Sequence, residues 1–333
     1  MGSNIDIVIT WVDNNDPQWI KEYEHYSGKK VDGVRFEDTG TLKYIFRGIE
    51  KFMPWVRKVH FVTYGHYPKW LNLKHPKLNM VKHSDIFPNT DVLPVFNSFA
   101  IEMNFHRIDG LSEQFIYFND DMFVLKKLTK EHFFIQGLPN DFYVVQSLFH
   151  DELFSHVLHS DMQVINKEIQ KNSSFKKQLS RVLTLKFGWK AFIRSVSLLI
   201  FGKQIPLFEL YHHPQAHLKS NFIEVERSYP EIIEKTRTYR FRTCASTSQY
   251  LFRFWGLIKG KYNPKKYADA YYIGVNNLDV FAETLAKLKI RGNPSFVCFN
   301  EESAFPTDQY ESYKNIIIQY LDEILAKKST WEI

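Results

Sequence analysis

Phe115-Ile116-Tyr117-Phe118-Asn119-Asp120-Asp121 is an apolar run that stops on an amide and two carboxylates. Consecutive apolar residues bounded by polar turn formers read as a strand buried on both faces, as in the middle of a parallel sheet. Asn and Asp at its end supply hard oxygen ligands, the kind magnesium or manganese takes when it is bound to a diphosphate. The same residue types also cap helices and make turns. Two adjacent carboxylates directly after a buried run favour the metal reading.

Outward from this stretch the chain alternates. Ile5 to Val12 reads as a buried strand ended by Asp13-Asn14-Asn15-Asp16-Pro17. Leu42, Ile45, Phe46, Ile49 and Phe52 form a helical stripe that stops before Pro54. Val59 to Thr63 is a second strand closed by Tyr64-Gly65-His66, Leu78 to Val81 a short third, and residues 97–108 look helical. This alternation predicts an α/β fold: a mostly parallel sheet flanked by helices, with a helical insertion or subdomain in the second half. Ligands of such sheets bind outside the carboxyl ends of the strands. The loops starting at Asp13, Tyr64 and Asn119 therefore converge on one crevice. Asp13 either builds an Asx turn or stands at the crevice mouth, reading a nucleotide or its metal.

The second half reads differently. Residues 162–203 are helical in pattern, and no acidic residue occurs from Ile169 to Leu207. Lys171, Lys176, Lys177, Arg181, Lys186, Lys190, Arg194 and Lys203 stand there among Phe175, Leu179, Leu183, Trp189, Phe192, Leu198, Leu199 and Phe201. Two readings are open: a membrane-surface element across 169–207, or a helical hairpin with an apolar core face and a solvated basic face. No stretch reaches the roughly 18 to 20 uncharged apolar residues of a transmembrane helix. The expected organisation is a catalytic α/β domain from 1–160 and 205–333, with 161–204 as a basic helical insertion. Gly260 to Lys266 reads as an exposed loop.

At 333 residues and 44% apolar content the chain can bury a large core. Cys244 and Cys298 are too few for a disulfide framework or a zinc site of the usual spacing, which fits a reducing compartment. The start, Met1-Gly2-Ser3-Asn4, runs into a strand with no basic-then-apolar leader. The expected place is cytoplasmic, peripheral on the inner face of the plasma membrane. A net charge of +6 suits an anionic partner. Acidic loops at the predicted crevice argue against nucleic acid.

Three further segments offer chemistry. Tyr211-His212-His213-Pro214-Gln215-Ala216-His217-Leu218-Lys219 gathers three histidines and a lysine, and a histidine can take the proton of an attacking hydroxyl. Each of these histidines is equally compatible with an ordinary surface or core place. Arg240-Phe241-Arg242 can clamp phosphate oxygens or be a solvated pair. Asn300-Glu301-Glu302, after Phe296-Val297-Cys298-Phe299, repeats the pattern of an apolar strand ending in oxygen ligands.

Together these segments resemble the Stealth family of sugar-1-phosphate transferases. The first matching block is Ile5 to Asp13. The second and longest runs through Arg35, Asp38, Arg47-Gly48-Ile49-Glu50, Pro54-Trp55-Val56-Arg57, Phe96-Asn97-Ser98, Ala100-Ile101-Glu102, His106-Arg107-Ile108 and Gly110-Leu111-Ser112-Glu113 to Tyr117-Phe118-Asn119-Asp120-Asp121. A third lies around His212, Pro214, Lys219 and Arg242, and a fourth around Phe296 to Asn300. Two departures are Thr41-Leu42-Lys43-Tyr44, where the family has Glu-Leu-Arg-Tyr, and Asn300-Glu301, where it has an Asn-Asp pair.

The resemblance implies transfer of a hexose-1-phosphate from a UDP-sugar to a hydroxyl of an acceptor oligosaccharide or polysaccharide, which can be lipid-linked. The product is a phosphodiester in a cell-surface polysaccharide, and UMP leaves. It implies Mg2+ (or Mn2+) on Asp120, Asp121, Asn300 and Glu301. His212, Asp120, Arg242 and His213 are the expected catalytic residues. Trp11, Asp13, Asn97, His106, Arg107 and Lys219 are the expected substrate-binding residues.

Overall fold

The computed structural model describes residues 4–31, 40–148, 152–172, 180–181, 183–202, 204–266, 269–301 and 307–333. Strands β1 (Ile5–Thr10), β2 (Val59–Thr63), β3 (Leu78–Lys82) and β4 (Gln114–Phe118) lie parallel in one sheet. Strand β6 (Gln215–Leu218) joins it antiparallel, giving the order β6-β4-β1-β2-β3. A second sheet has the order β7-β8-β5, from β7 (Ala270–Val275), β8 (Phe296–Glu301) and β5 (Met122–Val124). There β7 and β8 are parallel and β5 is antiparallel.

Among the described residues, the helices longer than four residues are α1 (Pro17–Ser27), α2 (Leu42–Phe52), α3 (Ser98–Glu102), α4 (Leu153–Asn172), α5 (Trp189–Gly202), α6 (Lys219–Ser228), α7 (Pro230–Thr238), α8 (Tyr250–Lys259), α9 (Leu278–Ile290) and α10 (Tyr310–Leu325). The mostly parallel α/β architecture is thus present.

Every residue of β2 and β4 is buried, as a strand covered on both faces requires. Side chains alternate along a strand, so one face of the sheet takes Ile7, Ile9, Ile116 and Phe118 into a core with α2, α9 and α10. The other takes Val8, Phe115 and Tyr117 into a core with α4 and α8.

The one carboxylate inside β1, Asp6, is fully buried. Burial alone would raise its pKa. Hydrogen bonds from His60 (3.1 Å), Arg57 (2.8 Å at Nε) and the Ser112 N–H (2.8 Å) hold it well below the usual carboxylate range instead.

Three segments differ from expectation. The helical reading of 97–108 resolves into α3 and a 3₁₀ turn at Phe105–Arg107. Between them Asn104 donates from its side chain to the Ala100 carbonyl (2.9 Å), a local bond that competes with helix continuation. The expected start of an insertion at residue 161 falls inside α4. Leu158, Met162, Ile165 and Ile169 of that helix belong to the main core, so its inner face is part of the body. Asn263–Pro264, in the expected loop, pairs with Asn140–Asp141.

Parallel registry brings the carboxyl ends of β1, β2 and β4 to one edge: Thr10 is level with Val62, and Ile9 with Phe118. Chain leaving β4 at that edge turns through Asn119-Asp120-Asp121 straight into β5 of the second sheet. The acidic cluster is the corner between the two sheets. Helix α2 packs against β5, which leaves that corner, so closely that a Cβ on Gly48 would lie 2.9 Å from the Val124 carbonyl oxygen.

Candidate active site

Asp121 is fixed from three directions. Its carbonyl accepts from the Phe299 N–H of β8 (3.2 Å). One carboxylate oxygen, Oδ2, lies 3.2 Å from His212 Nε2 and accepts from Asn300 Nδ2 at 3.4 Å. The other, Oδ1, is buried with no hydrogen-bond partner among the described residues. Burial would raise the Asp121 pKa, but the charge and hydrogen bond of His212, with help from Cys298 and Asn300, bring it below the ordinary value. For His212 burial disfavours the charge, and the Asp121 carboxylate and more distant Glu102 reverse that and raise its pKa. The His212 and Tyr272 rings are nearly perpendicular, with centroids 5.6 Å apart.

The ligand atoms of Asp121, His212 and Cys298 lie within 4.8 Å of one another, close enough for one metal ion to take all three. That set mixes a carboxylate, an imidazole and a thiol. The hard oxygens that magnesium prefers come from the carboxylates of Asp121 and its exposed neighbour Asp120. The bare Oδ1 is an acceptor of the kind a cation satisfies. The side chain of Glu301, like Arg35 and Asp38, lies outside the described residues.

Beneath the corner sits Glu102, at the end of α3 and 5% exposed. Its carboxylate accepts from the Gln249 N–H (2.9 Å) and the Tyr117 hydroxyl (3.3 Å). Burial pushes its pKa up to about 7, against those bonds and the charges of Arg242 and His212. Beside it, Asp161 accepts from the N–H (2.9 Å) and hydroxyl (2.6 Å) of Ser248, and burial drives its pKa well above the carboxylate range.

Arg242 is exposed, donates to Ser98 Oγ (2.8 Å) and lies over the Phe99 ring (4.9 Å). Asn97 holds its loop: fully buried, it caps α3 through the Phe99 N–H (3.2 Å) and donates to the carbonyls of Tyr239 (3.0 Å) and Phe241 (3.3 Å). Arg240 binds the carbonyls of Asp91 and Leu93 and stacks over Tyr26. The Asp13 N–H donates to His66 Nε2 (2.9 Å), so the first two loops do meet, and Asp13 Oδ1 accepts from Asn15 N–H (2.9 Å).

Several expected site residues lie elsewhere. Trp11 is buried, stacked on Phe61 with its edge to His66, and so belongs to the wall under the loops. His213 turns inward: it is buried between Tyr211 and Phe296, its Nδ1 meets the Pro214 carbonyl (2.8 Å), and burial lowers its pKa to about 3. Lys219 follows β6 at Leu218, which pairs with Gln114 at the start of β4. It therefore stands on the opposite edge of the sheet from Asp121. His106 and Arg107 precede β4 on that far side, where both bind Glu226 of α6 (2.7 and 2.8 Å). Sequence reasoning gave no role to Glu102 or Cys298; a carboxylate within the apolar Ala100-Ile101-Glu102 helix was the available signal for the first.

Fold and site define an α/β enzyme whose polar centre is the corner between two sheets. Residues 3–31 match the family model for Stealth protein CR1, conserved region 1, and residues 35–141 that for Stealth protein CR2, conserved region 2. A capsular polysaccharide phosphotransferase, WcwK, of Streptococcus pneumoniae is 32% identical over 98% of both chains. A receptor polysaccharide phosphotransferase, WefC, of Streptococcus oralis is 33% identical over 99% of this chain and 100% of its own. Among solved structures, galactosyltransferase LgtC aligns over 98% of both chains at 10% identity with a TM-score of 0.43. The chain belongs to the Stealth family, and it is a phosphotransferase.

Proposed function

We propose that this enzyme transfers a hexose-1-phosphate from a UDP-sugar to a hydroxyl of an acceptor glycan, building a phosphodiester into a cell-surface polysaccharide and releasing UMP. The reading rests on one observation above the others: Asp121 presents a buried, unpartnered Oδ1 while His212 and Asn300 hold its Oδ2. It is supported by the names of the full-length relatives, which are polysaccharide phosphotransferases.

In this mechanism His212 takes the proton of the acceptor hydroxyl, whose oxygen attacks the sugar-bearing phosphorus. The bond from that phosphorus to the bridging oxygen breaks, and the electron pair leaves with UMP. Arg242 places fixed positive charge near the leaving phosphate, and Asp13 lines the nucleotide side of the crevice. Asp120 and Asp121, with Asn300 beside them, would hold Mg2+ or Mn2+, which supplies charge neutralisation at the diphosphate. Reactions of this type depend mostly on positioning and electrostatics.

The test is to incubate the protein with UDP-sugars, acceptor glycan and Mg2+ or Mn2+ and to identify the nucleotide released. UMP with incorporation of phosphorus into the glycan is expected. UDP would instead mean attack at the anomeric carbon, and polymer binding without turnover would mean a glycan-binding protein.

A further inference from the structure

We propose that the surface formed by residues 183–200 docks on an anionic lipid bilayer. Within α5, Trp189, Ile193 and Ile200 are spaced four and seven residues apart, within about 40° of arc at 100° per residue. They are 63%, 53% and 56% exposed, and Leu185, just before the helix, is 67% exposed. The other side of the helix is already used: Leu199 is buried in the core, and Ser195 Oγ accepts from the Val145 N–H at 2.9 Å. The stripe is therefore surplus to folding.

Charge selects the occupant. The stretch from Ile169 to Leu207 carries eight Lys and Arg and no acid, against +6 for the whole chain, so everything outside it sums to −2. Lys186 and Lys190 flank the stripe and make no ion pair among the described residues. Apolar side chains edged by unpaired lysines match an interface of acyl chains under acidic headgroups. No described helix is long and apolar enough to cross a membrane, so the element lies on the surface.

The patch is coupled to the active site through packing. Phe187 lies against Phe142, Phe142 against Tyr211 (5.0 Å), and Tyr211 adjoins His212. Arg194 also binds Glu209, two residues before Tyr211. Docking would hold the His212 segment beside the surface on which a lipid-linked acceptor is carried. That last step rests on the proposed reaction; the docking does not.

The experiment is sedimentation of the full chain with vesicles, without nucleotide sugar. Binding is expected to mixed phosphatidylcholine–phosphatidylglycerol vesicles and to fall with salt, with little on phosphatidylcholine alone. Each lysine near an anionic surface contributes about fivefold, so Lys186→Gln with Lys190→Gln should lower partitioning about 25-fold. Trp189→Ser with Ile193→Ser should abolish it, while Ile290→Ser, another exposed apolar position, leaves it unchanged. Equal thermal unfolding of the variants establishes that they fold. Absence of anionic-vesicle binding, binding insensitive to both double variants, or self-association through this face in its place would overturn the proposal. Donor-turnover results do not bear on any of these outcomes.

Discussion

His212 Nε2 stands 3.2 Å from Asp121 Oδ2, across a gap of 91 residues in the chain. One partner closes the strand pair β4–β5 and the other leads into β6, so the contact measures how two sheets meet. Each group favours the charged form of the other, so His212 is a stronger base than a free imidazole, and it stands beside the carboxylate that keeps one oxygen bare.

Replacing His212 by Ala should lower turnover about 10²–10⁴-fold, the usual contribution of a general base, with donor KM changing only a few-fold. Steady-state kinetics of nucleotide release reads both quantities. Near-normal turnover would remove His212 from the base role.

Glu102 gives a pH-dependent stability signature. Its folded pKa of about 7 lies above the ordinary 4.5, so the folded state binds its proton more tightly than the unfolded state. The resulting penalty is absent below about pH 4.5, grows as pH rises, and is complete above about pH 7. Glu102→Gln removes that penalty while keeping an acceptor for the Gln249 N–H. Its melting temperature should match the parent's at pH 4 and exceed it at pH 8, where the gain is about 3 kcal/mol from the linkage relation. Equal melting temperatures at both pH values would show that burial does not strain this carboxyl.

Asn97→Ala should act through the arginine loop. It leaves the part-buried carbonyls of Tyr239 and Phe241 short of a donor, a loss of about 1–3 kcal/mol in stability. Activity should fall as Arg242 loses its position. In an Arg242→Ala background the same change should cost no further activity, and a full additional loss in that cycle would separate the two residues.

Gly48→Ala puts a methyl group 2.9 Å from the Val124 oxygen, a backbone atom that cannot rotate away. Overpacking of this sort costs about 1–3 kcal/mol. Thermal unfolding should drop accordingly, and turnover should drop with it, because Val124 is three residues from Asp121. An unchanged melting temperature would mean that α2 yields freely.

Local pattern revealed much of this architecture. The buried runs of β1, β2, β4 and β8, the α2 stripe ending before Pro54, and the shared edge of the Asp13, Tyr64 and Asn119 loops follow from periodicity and topology. Pairings distant in sequence did not. Asn300 reaches Asp121 from 179 residues away, and no spacing rule reports that. His212 and Lys219 are close neighbours in sequence, yet an intervening strand rising about 3.3 Å per residue carries them to opposite edges. His213 is separated from His212 by burial alone. Glu102 escaped because a carboxylate within an apolar helix reads as a surface position until its partners, Tyr117 and Gln249, are known.

The chain passes from one sheet to the next through Asn119-Asp120-Asp121, which gives those residues a mechanical meaning. A carboxylate on a free loop can drift while its scaffold stays still. Asp121 cannot, because its backbone is stitched to β8 and its neighbours to β4 and α2. Any breathing of one sheet against the other changes the angle at this joint, so loosening of the framework should be felt first as a misplaced carboxylate, before global unfolding begins.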